Sequence, residues 1–180
     1  MSSKMRLRWM RHLGACEQGS AMVETALTFP LFVALLLGAV ELGDLAYKSN
    51  EITNAARSAA QYAASTGGGY TDCDGKVPDS TIHSCTSTRG IYITAQKDAP
   101  LVTKSCTSFT VQASTSCICS NGSACTFSAT SAGYTCAAKP VVMVSVYTSA
   151  QCSPAASVPN LFPLGSAFTI NGYSQQEVTN

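Results

Sequence analysis

The sequence predicts an α+β fold. A long N-terminal transmembrane helix continues into an amphipathic, alanine-rich helix, and a small disulfide-rich antiparallel β domain follows. Three observations predict it. Residues 26–40 contain no charged side chain and follow a basic leader. A helical period then persists to Thr66. Beyond it, eight cysteines accompany short β-branched and aromatic runs in a background rich in Ser, Thr and Gly. The expected boundaries are 1–19 for a cytoplasmic leader, 20–66 for the helix and 67–180 for a β-rich head outside the membrane.

The leader comes first. Only 12% of the 180 residues are charged, which is low for a soluble cytosolic chain. Lys4, Arg6, Arg8 and Arg11 against Glu17 give residues 1–19 a charge of +3, while the remaining seven Lys/Arg and nine Asp/Glu give the rest −2. A short basic terminus is not the basic face of a folded domain, so nucleic acid is not an expected partner. Basic residues just before an apolar run stay cytoplasmic, which sends the C-terminal part across the membrane. The tail of a signal anchor and a secretory signal share this pattern, but no small-x-small cleavage site ends the apolar run. Leu13-Gly14-Ala15-Cys16 has the form of a lipoprotein box but lacks an apolar segment before it.

Ser20 to Leu42 is 23 residues, about 34 Å as a helix. A hydrocarbon core of about 30 Å is spanned by that length, and helix is the state that satisfies its own backbone there. Pro30 removes one helical hydrogen bond. Glu24 lies four residues inside this segment, where a charge costs less than at the bilayer centre. From Asp44 to Thr66, Leu45, Ile52, Ala56, Ala59 and Ala63 form one apolar stripe. Ala55, Ala59 and Ala63 recur every four residues, as do Ala56, Ala60 and Ala64. Such small-residue rows let another backbone approach closely. They fit packing against a neighbouring helix or against the chain's own head. Gly67-Gly68-Gly69 is expected to end the helix.

In the head, Ile91–Thr94, Ser108–Gln112, Cys125–Ser128 and Val141–Tyr147 read as strands. In the last, Val142, Val144 and Val146 share one face and Ser145 the other. Asn121-Gly122 predicts a hairpin turn of type I′; with Ser123 it also forms a glycosylation acceptor pattern. Phe168–Ile170 with Asn171-Gly172-Tyr173 predicts a last strand or a final hairpin, after a loop containing Pro154, Pro159 and Pro163. Large apolar residues are few. The eight cysteines beyond the span (Cys73, Cys85, Cys106, Cys117, Cys119, Cys125, Cys136 and Cys152) therefore matter for stability, and an oxidising compartment lets them pair. Eight cysteines allow 105 pairings, among which sequence does not choose. Cys16 lies on the reducing side.

No catalytic set can be assembled from two histidines, His12 in the leader and His83 in a Ser/Thr-rich stretch. Cys117-Ile118-Cys119 is spaced more closely than zinc pairs usually are. Asp72 and Asp74 lack the other ligands of a calcium loop. The expectation is no enzyme, no cofactor and no metal.

Gly19-Ser20-Ala21-Met22-Val23-Glu24 followed by an apolar helix resembles the class III signal of type IV prepilins. The longer run from Glu17 to Ser65 resembles the TadE-like family of pseudopilins from Tad (Flp) pilus systems. Besides that signal it shares Leu27, Pro30-Leu31, Gly38 with Glu41-Leu42-Gly43, and Thr53-Asn54-Ala55-Ala56-Arg57 with Ala60, Tyr62 and Ala63. The cysteine-rich stretch from Cys73 to Cys136 departs from a typical member. So does Thr25, where major Flp pilins carry tyrosine, which argues for a minor pseudopilin. The resemblance implies cleavage after Gly19 by a prepilin peptidase and methylation of the new amine on Ser20. It implies that Glu24 neutralises an N-terminal ammonium during assembly, and that cleavage removes Cys16. Expected partners are that peptidase, other pilins or pseudopilins, and inner-membrane lipid. The expected location is the bacterial inner membrane, single-pass, with a periplasmic head, and an extracellular pilus after assembly. A signal-anchored periplasmic binding module that never assembles is the alternative.

Overall fold

The computed structural model describes residues 4–66, 73, 82–86, 88, 90–128, 133–136, 138–153 and 167–178. The expected glycine terminator at 67–69, Asp72, Asp74 and the three loop prolines lie outside the described residues. The chain divides into two compact units, Met1–Gly43 and Asp44–Asn180.

Helix α1 runs from Lys4 to Ser65 and includes Pro30. It begins within the basic leader rather than at Ser20. Met, Leu, Arg and Ala are good helix formers, and extending an existing helix costs far less than nucleating one. At its end the Thr66 amide donates to the Tyr62 carbonyl at 3.1 Å, as does the Thr66 hydroxyl at 2.9 Å.

The second unit sets residues 44–65 of α1 and two short helices, α2 (Gly90–Lys97) and α3 (Pro100–Ser105), against a four-stranded antiparallel sheet. The sheet has the order β1-β2-β5-β6, with β1 at His83–Ser84, β2 at Cys106–Cys119, β5 at Pro140–Cys152 and β6 at Phe168–Glu177. A separate two-stranded sheet pairs β3 (Thr126–Ser128) with β4 (Gly133–Thr135). Side chains alternate along each strand. Val111 and Ala113 of β2, Val144 and Val146 of β5 and Ile170 of β6 face inward, where they meet Ile52, Ala55, Ala59 and Ala63 of α1. Ile91 and Ala95 of α2 and Val102 of α3 complete that core. Ser145 faces the other way yet is buried, with the Tyr173 hydroxyl 3.4 Å from its own.

Two expectations need correction, at Ile91–Thr94 and at Asn121-Gly122, and of the two alternatives at residues 168–173 the last strand holds. Ile91–Thr94 is not a strand but part of α2. Its β-branched and aromatic content favours strand only weakly against context, and the helical period places Ile91 and Ala95 together on the core. Asn171-Gly172 does not turn the chain; β6 runs straight through it, paired with β5 from Phe168↔Cys152 to Glu177↔Met143. The turn at Asn121-Gly122 is real but is not type I′. Among the described residues, Ser108 is the one non-glycine with positive φ, so Asn121 does not adopt the left-handed region. Gly122, at φ 81°, donates to the Cys119 carbonyl at 2.8 Å, and the Cys119 amide donates to Ser123 at 3.0 Å. That is a type I turn followed by a left-handed glycine. Ser108, at φ 54°, sits where the β2–β5 register slips between Thr107 and Thr110, the signature of a bulge.

Candidate functional site

Two features carry the functional reading: the apolar half of α1 and the sulfur pairs of the head. From Ala21 to Leu42, α1 presents Met22, Leu27, Phe29, Leu31, Phe32, Leu35, Val40 and Leu42 to its surroundings, each more than half exposed. The helix is long and apolar enough to cross a membrane, and none of its most apolar stretch is buried. Exposed apolar residues on this scale mark a surface that something other than water covers. The two threonines in it satisfy their own hydroxyls: Thr25 donates to the Ala21 carbonyl at 2.8 Å and Thr28 to the Glu24 carbonyl at 3.0 Å. Such back-bonding removes the cost of unpaired hydroxyls in hydrocarbon.

Gly19 is exposed, and a β-carbon there would meet nothing. Glu24 is exposed within an unbroken helix.

The alanine rows are placed differently. Ala55, Ala56, Ala59, Ala60 and Ala63 are fully buried within the second unit. Both rows face inward because the helix approaches the sheet closely. The Thr148 hydroxyl of β5 donates to the Ile52 carbonyl at 2.9 Å, and a β-carbon on Gly172 of β6 would collide with that carbonyl oxygen and with Thr148 Oγ1. Of the two packings open to these alanines, the described one is against the chain's own head.

Sequence reasoning missed the polar residues that fix this docking. Glu51 is buried on the same helix, and its Oε2 accepts from the amides of Leu101 and Val102 at 3.1 Å each. Helix α3 has no side-chain cap of its own, so a carboxylate from α1 satisfies two of its first free N–H groups. One turn earlier, Lys48 is buried and pairs with Asp44 at 2.6 Å. A carboxylate beside Ile52 and one turn from Ala55 was the available signal. Glu51→Ala is expected to lower head stability by about 1–3 kcal/mol, read as a fall in thermal midpoint. Glu51→Gln, which keeps an acceptor, should recover part of it.

The eight outer cysteines fall into four pairs at disulfide distance: Cys73–Cys85, Cys106–Cys152, Cys117–Cys125 and Cys119–Cys136. Cys106–Cys152 joins directly opposed residues of β2 and β5 and closes the longest loop of the four, a separation of 46. In chain-entropy terms that bridge is worth about 4 kcal/mol. The last two pairs gather at the other end of β2, where the Cys119, Cys125 and Cys136 sulfurs lie within 4.8 Å of one another. Cys117-Ile118-Cys119 thus has a second cysteine pair beside it, which its spacing did not reveal.

These features define a class: an α+β protein with, among the described residues, one N-terminal apolar helix of membrane-anchoring length and a small sheet domain with paired cysteines. Residues 19–61 match the family model described as TadE-like protein. Over that segment the chain is similar to TadE-like proteins of Tad pilus systems. The match lies within α1 and leaves the sheet and its cysteines outside it. Comparison with curated proteins and with solved structures returns no match.

Proposed function

We propose that the chain is a minor pilin or pseudopilin of a Tad pilus, acting in pilus biogenesis or surface adhesion. The observation that carries this reading is the TadE-like match over residues 19–61, on a helix whose apolar side chains from Met22 to Leu42 are uncovered. A prepilin peptidase cuts after Gly19. The mature helix then sits in the inner membrane, its head periplasmic, until neighbouring pilins take the place of lipid around it. The new ammonium on Ser20 and the Glu24 carboxylate compensate each other's charge, within one subunit or between two, where low dielectric makes an isolated charge costly. Since the alanine rows pack into the head, residues 21–42 supply the helix surface for assembly. The mass of the mature chain tests this reading: it should begin at Ser20.

A further inference from the structure

The two sulfur pairs at the end of β2 differ from the other two in one respect. Cys125 lies 3.7 Å from Cys119 and 3.7 Å from Cys136, the two members of the neighbouring bond. The Cys125 sulfur is therefore in van der Waals contact with both ends of a disulfide that is not its own. Cys117, Cys125 and Cys136 are partly exposed, and Cys119 is buried; of the other four, Cys73, Cys85 and Cys152 are buried and Cys106 is partly exposed. Thiol–disulfide exchange needs a thiolate, a disulfide sulfur within reach and access for the reductant. All three meet here once the Cys117–Cys125 bond is opened.

We infer that Cys117, Cys119, Cys125 and Cys136 form a disulfide-exchange site with Cys125 as the exchanging thiol, and that its reaction partner is an external dithiol. The dithiol reduces the Cys117–Cys125 bond: its two thiols become a disulfide, and the two electrons leave Cys117 and Cys125 as thiols. The Cys125 thiolate then attacks Sγ of Cys136 or of Cys119. A new S–S bond forms, the Cys119–Cys136 bond breaks, and the electron pair leaves on the displaced sulfur, which takes up a proton. The disulfide form of the external dithiol then takes back two electrons: Cys117 and the displaced thiol close a second bond, and the external pair returns to two thiols. The cluster thus changes connectivity while the Cys73–Cys85 and Cys106–Cys152 bonds stay fixed. This inference stands on the head alone and does not depend on the pilus reading.

The test uses the full chain in detergent with Cys117→Ser, which leaves Cys125 without its partner. Free thiols are trapped at low pH, and the bonds are mapped by mass spectrometry without reduction. The expected result is a mixture in which Cys119, Cys125 and Cys136 each carry the free thiol in part, with Cys73–Cys85 and Cys106–Cys152 intact. With Cys125→Ser, Cys119–Cys136 should be the one pairing found within the cluster and Cys117 its one free thiol. A Cys117→Ser chain in which the cluster holds only the Cys119–Cys136 bond and Cys125 is wholly free would overturn the inference. So would exchange that spreads to Cys73, Cys85, Cys106 or Cys152, because the lability would then not belong to this cluster.

Discussion

Replacing Gly172 with valine is expected to destabilise the head strongly. A β-carbon at this position would run into the Ile52 carbonyl oxygen and would sit 2.6 Å from Thr148 Oγ1 and 2.8 Å from the Ile52 carbonyl carbon. Two of these three atoms are backbone, so no rotamer change relieves them. The helix must lift from the sheet, and lifting it breaks the buried Thr148–Ile52 hydrogen bond. Overpacking typically costs 1–3 kcal/mol, and an unsatisfied buried polar group adds a similar amount. The combined loss is about 3–5 kcal/mol, a large fraction of a small domain's stability. Chemical denaturation of the detergent-solubilised chain measures it. Asn171→Val, one residue earlier on the exposed face, serves as the control and should change stability by less than about 0.5 kcal/mol. Equal effects at the two positions would show that close approach of helix and strand is not what Gly172 provides.

The second large effect concerns Glu24. Glu24→Ala should leave membrane insertion intact, because removing a carboxylate from an apolar helix makes insertion easier. Recruitment into pili should fall by at least tenfold, which corresponds to about 1.4 kcal/mol of lost pairing. Fractionation reports insertion, and the yield of the subunit in sheared pili reports recruitment. Glu24→Gln separates charge from hydrogen bonding: charge pairing predicts that it fails as badly as alanine. Full recruitment of the glutamine variant would remove the ammonium-pairing role. A periplasmic module that never assembles would give no pilus-bound wild type to lose.

The long helix was legible because its signals are redundant. A charge-free run and alanines every four residues both require helix over 20–66, and residues 20–65 are helical. Strands β2 and β5 were legible from Ser108–Gln112 and Val141–Tyr147, but only in part. Their full lengths, Cys106–Cys119 and Pro140–Cys152, include stretches of Ser, Thr and Cys that carry little strand preference of their own and are held by pairing. Ile91–Thr94 misled because a four-residue β-branched run cannot be told from one turn of buried helix by pattern alone. Its neighbours Ala95, Gln96 and Lys97, all good helix formers, carried the contrary signal. Gly172 left two readings open, a last strand or a hairpin, for a related reason. Asn-Gly between apolar residues reads as a turn, yet a glycine inside a strand also marks a point where another backbone comes close, and here that backbone is Ile52.

The proposed roles of Gly19, Ser20 and Glu24 rest on a local pattern, a leader, a glycine and a carboxylate at fixed spacing, which needs no tertiary structure to be seen. The sulfur pairing was not readable, since it depends on which strand ends meet. Cys106 pairs with Cys152 because β2 and β5 put them in register, a fact of topology. Glu51 escaped notice for the same reason: its partners, Leu101 and Val102, are about fifty residues away in the chain.

The central claim is that Gly19 and Ser20 form a cutting point on an assembling helix. The most direct measurement is the intact mass and N-terminal sequence of the chain extracted from membranes of cells that carry a prepilin peptidase. The account predicts a mature chain beginning at Ser20, with its amine free or methylated, and with eight cysteines left after loss of Cys16. An intact Met1 terminus in those cells, or a first residue elsewhere, would contradict it.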